Sequence, residues 1–283
     1  MPVIDAHHHF WRVAAQEQPW RNDRHGSIAR DYTPDDLRPE LIAAGVDSTV
    51  LIQSVDEPAE NDRLAAYAAE APFVAAVVGW LPLSDPAAAR AELERLDSPV
   101  LRGVRCLVGR DPLDWLTEPD SVALFKELAT AGLSWDVVPV TAAQTAAVVA
   151  LAHAVPELRI VVDHLGRPPI DSGGWEPWAG QLRQLSECPG IALKVSLGID
   201  LLSAVPAWPS DLDRYLRWAV DCFGAQRLML ASNWPVVLLR ADYQHAWNSL
   251  REVVERALDD PNELAAVLGG TAAHYYRING KVS

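Results

Sequence analysis

The chain has 283 residues, 49% of them hydrophobic and 22% charged, with a formal net charge of −14. That length suits one large α/β barrel, and the acidic balance argues against nucleic acid as a partner. The most apolar run, 142–154, is broken by Gln144 and His153, so no membrane span is expected. The chain enters its first strand without a secretion-type leader, and its widely spaced cysteines (Cys106, Cys188 and Cys222) form neither a disulfide framework nor a metal-binding pattern, so the reducing cytoplasm is the expected location.

The first strand is expected at 3–7, within Val3-Ile4-Asp5-Ala6-His7-His8-His9-Phe10-Trp11. Alternation along a strand turns His7 and His9 to one face and His8 to the other. Two imidazoles at a strand end make half of a metal site or of a proton-transfer site. The triplet follows an apolar strand and precedes Phe10-Trp11, a setting unlike that of a histidine tag. A long segment follows at 12–33, carrying Trp20, Arg21, Arg24, His25 and Tyr32, and is expected to form a lid.

Further strands are expected at 48–55, 73–80, 101–108, 133–138, 159–164, 191–197 and 227–232. Helical spacing occupies 34–44, 60–71, 86–96, 121–131, 142–154, 177–188, 211–223 and 243–258 between and after them. Pro34 and Pro86 suit first helical turns behind the caps Thr33 and Asp85, and Gly45 and Gly132 suit left-handed C-caps. Strand–helix alternation through eight units, with no phosphate-binding glycine fingerprint, selects a (β/α)8 TIM barrel spanning 1–283 as a single domain.

Barrels of this kind build their sites from the C-terminal strand ends. In order these ends offer His7 and His9, then Gln53 and Asp56, Trp80, Arg102 and Arg105, Asp136, Asp163 with His164, Lys194 and Ser196, and Ser232-Asn233-Trp234-Pro235. Asp163 and His164 are neighbours and face opposite ways on a strand, so His164 alone is expected in the mouth. Lys194, in an apolar strand, needs either a floor ion pair with Asp163 or Asp136, or a polar cavity. Arg105 is expected as an anion clamp or as the partner of an acid. Trp11, Trp80 and Trp234 are expected as pocket walls for a ring-shaped substrate.

Asp5-Ala6-His7-His8-His9-Phe10-Trp11, Val78-Gly79-Trp80, Leu101-Arg102-Gly103-Val104-Arg105, Val162-Asp163-His164-Leu165-Gly166-Arg167-Pro168 and Ser232-Asn233-Trp234-Pro235-Val236 together resemble the signatures of the amidohydrolase superfamily. Within it they resemble the amidohydrolase-related (amidohydrolase 2) group, which contains L-fuconolactonase, L-rhamnonolactonase and 2-pyrone-4,6-dicarboxylate lactonase types. The resemblance covers nearly the whole chain in order. It implies a distorted (β/α)8 barrel and hydrolysis of a small polar cyclic ester, with His7, His9, His164 and position 233 catalytic. Arg105 orients the substrate in that picture, and Lys194 holds the carbonyl or protonates the leaving alcohol.

Two departures qualify what the resemblance implies. Arg105 stands where two-metal members carry a carboxylated lysine, and the fifth strand has no histidine. The expectation is therefore either no required cofactor or one divalent ion, zinc the first choice, on His7, His9 and His164. The group's usual strand-8 aspartate is Asn233, and an amide cannot accept a proton at neutral pH. Three explanations stand open: an engineered Asp→Asn change, a native residue with a histidine or Asp56 as the base, or a silent homologue. A lactonase with a small-molecule substrate is the leading expectation. A single-metal amidohydrolase, a non-oxidative decarboxylase and a non-hydrolytic homologue are the alternatives, and a homo-oligomer is left open.

Overall fold

The computed structural model describes residues 1–96 and 98–278. Eight parallel strands follow one another around a barrel, each pairing with the next. They are β1 (Ile4–His8), β2 (Ser48–Ile52), β3 (Val74–Trp80), β4 (Leu101–Arg105), β5 (Ser134–Val137), β6 (Arg159–Val162), β7 (Ile191–Val195) and β8 (Leu228–Leu230). The seam is closed by the backbone beyond β8. Asn233 N–H donates to the His7 carbonyl at 2.8 Å, and His9 N–H to the Trp234 carbonyl at 2.7 Å. This is the expected (β/α)8 barrel, distorted where β8 is short.

Helices α1 (Pro34–Ala44), α2 (Pro58–Glu70), α3 (Pro86–Arg95) and α4 (Pro119–Ala131) all begin on proline. Proline suits that place because the first-turn N–H would lack a helical partner anyway. Pro58 and Pro119 thus start α2 and α4 two residues before the expected 60 and 121. Gly45 and Gly132 close α1 and α4 at φ 67° and 76°, the left-handed cap that glycine adopts without strain. The outer ring continues with α5 (Ala142–Ala154), α6 (Trp178–Ser186), α8 (Asp213–Phe223) and α9 (Tyr243–Ala257). Three helices too short to show a period in the sequence, α7 (Ile199–Ala204), α10 (Pro261–Ala265) and α11 (Thr271–Tyr275), lie between and after them.

One apolar cluster lies between strands and helices, and a second fills the barrel itself. The inner one takes alternate residues of β1, β2 and β3, namely Ile4 and Ala6, Val50 and Ile52, and Ala76 and Val78, with Val161, Ala192 and Met229 from β6, β7 and β8, and it includes Tyr275 and Tyr276. Gly103 gives the interior room, since a Cβ there would stand 2.3 Å from Ser134 Oγ.

Several strands stop short of the sequence expectation: β2 at Ile52, β4 at Arg105, β6 at Val162 and β8 at Leu230. Ser54, His164 and Asn233, beyond these ends, leave the ladder and line the mouth. In β1 the pairing with β2 shifts register between Asp5 and His8. Ile4 and Ala6 face the barrel interior, so strict alternation would carry His8 inward. The irregularity re-aims the chain, as bulges do. His7 and His9 then meet in the mouth, while His8 Nε2 lies 2.8 Å from Thr49 Oγ1 on the other side.

Candidate active site

The floor of the mouth is a buried array of charges. Lys194 Nζ, on β7, donates to Asp136 Oδ2 at 2.6 Å and lies 2.9 Å from Asp163 Oδ1 and 3.1 Å from His7 Nδ1. Tyr276, arriving from the end of α11, donates its hydroxyl to the same Asp136 oxygen at 2.7 Å. Arg105, the last residue of β4, stands 3.1 Å from Asp163 Oδ2 and 3.3 Å from His7 Nε2. The contacts of Asp163 with Lys194 and Arg105 are ion pairs and not aligned hydrogen bonds. Burial alone would raise the Asp163 carboxyl, but Lys194, His7 and Arg105 hold it well below the usual carboxylate range. Asp136 is raised by its burial, an effect that Lys194 partly offsets.

Above this floor stand three neutral imidazoles. Burial, then Lys194, takes His7 well below its ordinary value. Burial, then Arg105, brings His9 down to about 3. Burial likewise puts His164 well below 6.5, against the opposing pull of Asp163. His9 Nδ1–H donates to the Ile52 carbonyl at 2.9 Å, which leaves His9 Nε2 a lone pair 3.1 Å from His7 Nε2. The network then closes in two ways. Either Lys194 donates to His7 Nδ1 and His7 Nε2–H donates to His9, or His7 Nδ1–H faces Asp163 and both Nε2 lone pairs point at one place. His164 is oriented separately, through Nδ1 and Ser196 Oγ at 2.8 Å.

Of these groups, His9, Arg105 and His164 line, with Asn233, a cavity of about 450 Å³, whereas His7 is fully buried and is not among its lining residues. Trp20, Arg24 and His25 of the 12–33 segment line it too, so the expected lid forms one wall. The segment is fastened at both sides of the mouth: Trp20 Nε1–H donates to the Ser54 carbonyl at 2.8 Å, and His25 Nε2 meets Ser203 Oγ at 2.9 Å. Asn233 has a left-handed backbone, φ 56°, and donates Nδ2–H to the Leu197 carbonyl at 2.8 Å. Its Oδ1 is buried with no protein partner among the described residues.

Some sequence expectations need correction. Asp163 and His164 do not face opposite ways; both reach His7, because β6 ends at Val162 and His164 takes a left-handed φ of 55°. Lys194 is fully buried, hydrogen-bonded to Asp136 and ion-paired with Asp163, the two acids named for it, and is not among the residues lining the cavity. Trp11 and Trp234 pack edge-on against Tyr32 inside the core. The backbone of Trp11 already pairs with that of Tyr32, so the strand alternation that would aim it at the mouth has ended. Trp80 and Asp56 line a separate cleft of about 210 Å³. Asp56 is held there by the Leu107 N–H at 3.1 Å and by Gln53 Nε2 at 2.8 Å. The aromatic wall of the main cavity comes from Trp20 and His25 instead, on a segment with no period to read.

The donor chemistry fits one divalent ion. His7, Asp163 and His164 each present a ligand atom within 4.8 Å of the others, and His9 Nε2 adds a fourth donor beside His7. Neutral imidazoles with a carboxylate form a zinc-type set. Lys194 and Arg105 already neutralise Asp163, so the imidazoles are the donors free to serve.

The amidohydrolase family pattern matches residues 4–278. An L-fucono-1,5-lactonase of Burkholderia ambifaria is 36% identical, over 98% of this chain and 96% of that one. The crystal structure of an amidohydrolase from Burkholderia multivorans with bound zinc is 30% identical and superposes with a TM-score of 0.89, over 99% of this chain and all of the other. Amidohydrolase 2 of Bifidobacterium longum subsp. infantis shares the fold at a TM-score of 0.77 and 24% identity, covering 99% of this chain and 100% of the other. The barrel, the imidazole cluster at its C-terminal mouth and the match over nearly the whole sequence agree: the chain belongs to the amidohydrolase family.

Proposed function

We propose that this protein is a lactonase, which opens a small polar cyclic ester by attack of water on its carbonyl. The observation that carries the reading is the cluster of neutral imidazoles and Arg105 at the barrel mouth, in a chain 36% identical to an L-fucono-1,5-lactonase. Asn233 Oδ1 accepts a hydrogen bond from the attacking water and orients it but cannot take its proton. That proton goes to His164 Nε2, the ring nitrogen left over from the bond to Ser196. Arg105 stabilises the charge that develops on the carbonyl oxygen. Collapse of the tetrahedral adduct breaks the ring C–O bond, and the leaving alkoxide takes its proton from the His164 imidazolium.

A base of such low basicity suits a reactive cyclic ester and not an amide, since proton transfer weakens as base strength falls. A divalent ion, zinc for instance, would be held by His7 and His9, whose Nε2 atoms lie together, leaving His164 Nε2 as the base, and when bound it would polarise the carbonyl. The free cysteines Cys106, Cys188 and Cys222 accord with a cytoplasmic enzyme.

The test is proton release from a panel of six-membered sugar-acid lactones, with acyclic esters and amides of similar size beside them. Turnover confined to the lactones is the expected result. Turnover of amides alone, or of nothing, overturns the reading.

A further inference from the structure

A second cavity, of about 520 Å³, adjoins the first and shares Gly109, Val140, His164, Arg167 and Asp200 with it. Among the described residues, four arginines line the joint space: Arg24 and Arg105 in the inner part, Arg110 in the outer, and Arg167 in both. The carboxylates lining it are Asp171 and Asp200. A chain of net charge −14 has thus gathered guanidinium groups around one space.

Arg167 is the group least well satisfied there. Its backbone is held left-handed, φ 59°, and its guanidinium pairs with Asp200, yet its Nε–H is buried with no partner. Burial, then the neighbouring charges of Arg105 and Arg110, lowers it to about 10. An unpaired buried donor and crowded like charges are both relieved by one thing, an anion.

We propose that the outer cavity is a binding site for a polyhydroxy carboxylate, the ring-opened product, with Arg167 and Arg110 as its ligands. This rests on the lactonase reading, under which a neutral ring becomes an anion beside Arg105. The neutral substrate gains little from the outer arginines, whereas the product gains charge-assisted bonds to a planar guanidinium fork. Product therefore moves outward past His164 and Arg167, and it inhibits by occupying the exit.

The experiment is calorimetric titration of the protein with gluconate, with its neutral counterpart glucitol, and with inorganic phosphate. Gluconate is expected to bind at least about tenfold more tightly than glucitol, the size of one charge-assisted hydrogen bond, and to weaken as salt rises. Arg167→Gln and Arg110→Gln should each lower gluconate affinity by about tenfold on the same basis. Arg110 is exposed, so that variant keeps the test valid where Arg167→Gln disturbs the loop. Equal binding of gluconate and glucitol, phosphate binding as tight as gluconate, or unchanged affinity in Arg110→Gln overturns the proposal. Calorimetry needs no turnover, so failure of the lactonase reading shows separately, as absent ring opening.

Discussion

Asn233 donates its side-chain N–H to the Leu197 carbonyl at 2.8 Å, and that bond fixes what the residue offers the cavity. The amide oxygen is left as a buried acceptor, suited to a water or a hydroxyl and unable to take a proton. Asn233→Leu should therefore lower kcat by about tenfold to a hundredfold, the range for lost positioning and one lost hydrogen bond. Asn233→Asp adds a titrating group, and its pH–rate profile should gain an acid limb in which activity is lost as pH falls through the new carboxyl. Steady-state rates between pH 4 and 8 read both outcomes.

Lys194 is buried between Asp136 and Asp163, and removing it leaves Asp136 with no cation and Asp163 with Arg105 alone. Lys194→Met should destabilise the fold by about 3–5 kcal/mol, as breaking a buried pair does. The deficit should shrink as pH falls and the acids protonate. Tyr276→Phe removes one hydrogen bond to Asp136 and should cost about 1 kcal/mol. Urea unfolding at two pH values measures each effect.

Acid should unfold this protein through its histidines. His8 and His9 are both brought down to about 3, chiefly by burial, so at pH 5 they are neutral when folded and protonated when unfolded. Stability is then full above about pH 6.5 and declines as pH falls from there toward 3. Asp5 acts the other way. Its burial raises it to about 6, so its contribution is present at low pH and lost as pH rises through 6. His8 packs away from the cavity, so His8→Asn tests the linkage without touching the site. It should reduce the proton uptake on unfolding at pH 5 by about one.

The alternation of hydrophobic strands and helical segments made the barrel legible, and its strand ends led to His7, His9, Arg105, His164 and Asn233. Alternation failed where the backbone leaves regular geometry. The left-handed turn at His164 brings Asp163 and His164 to the same place, and no period signals it. The irregularity in β1 is equally silent, although its outcome agrees with the expected faces. Tyr276 joins Asp136 across 140 residues, a contact that only closure of the barrel creates. Trp11 and Trp234 misled because a residue following a strand end belongs to the next turn, where both pack against Tyr32.

The most direct test is the rate of lactone opening by His164→Gln, followed by proton release beside the unaltered protein at neutral pH. The account predicts a fall in kcat of about a hundredfold to ten-thousandfold, the contribution of a general base, with KM little changed. A variant that keeps its rate would contradict the account, since the proton of the attacking water would then go elsewhere.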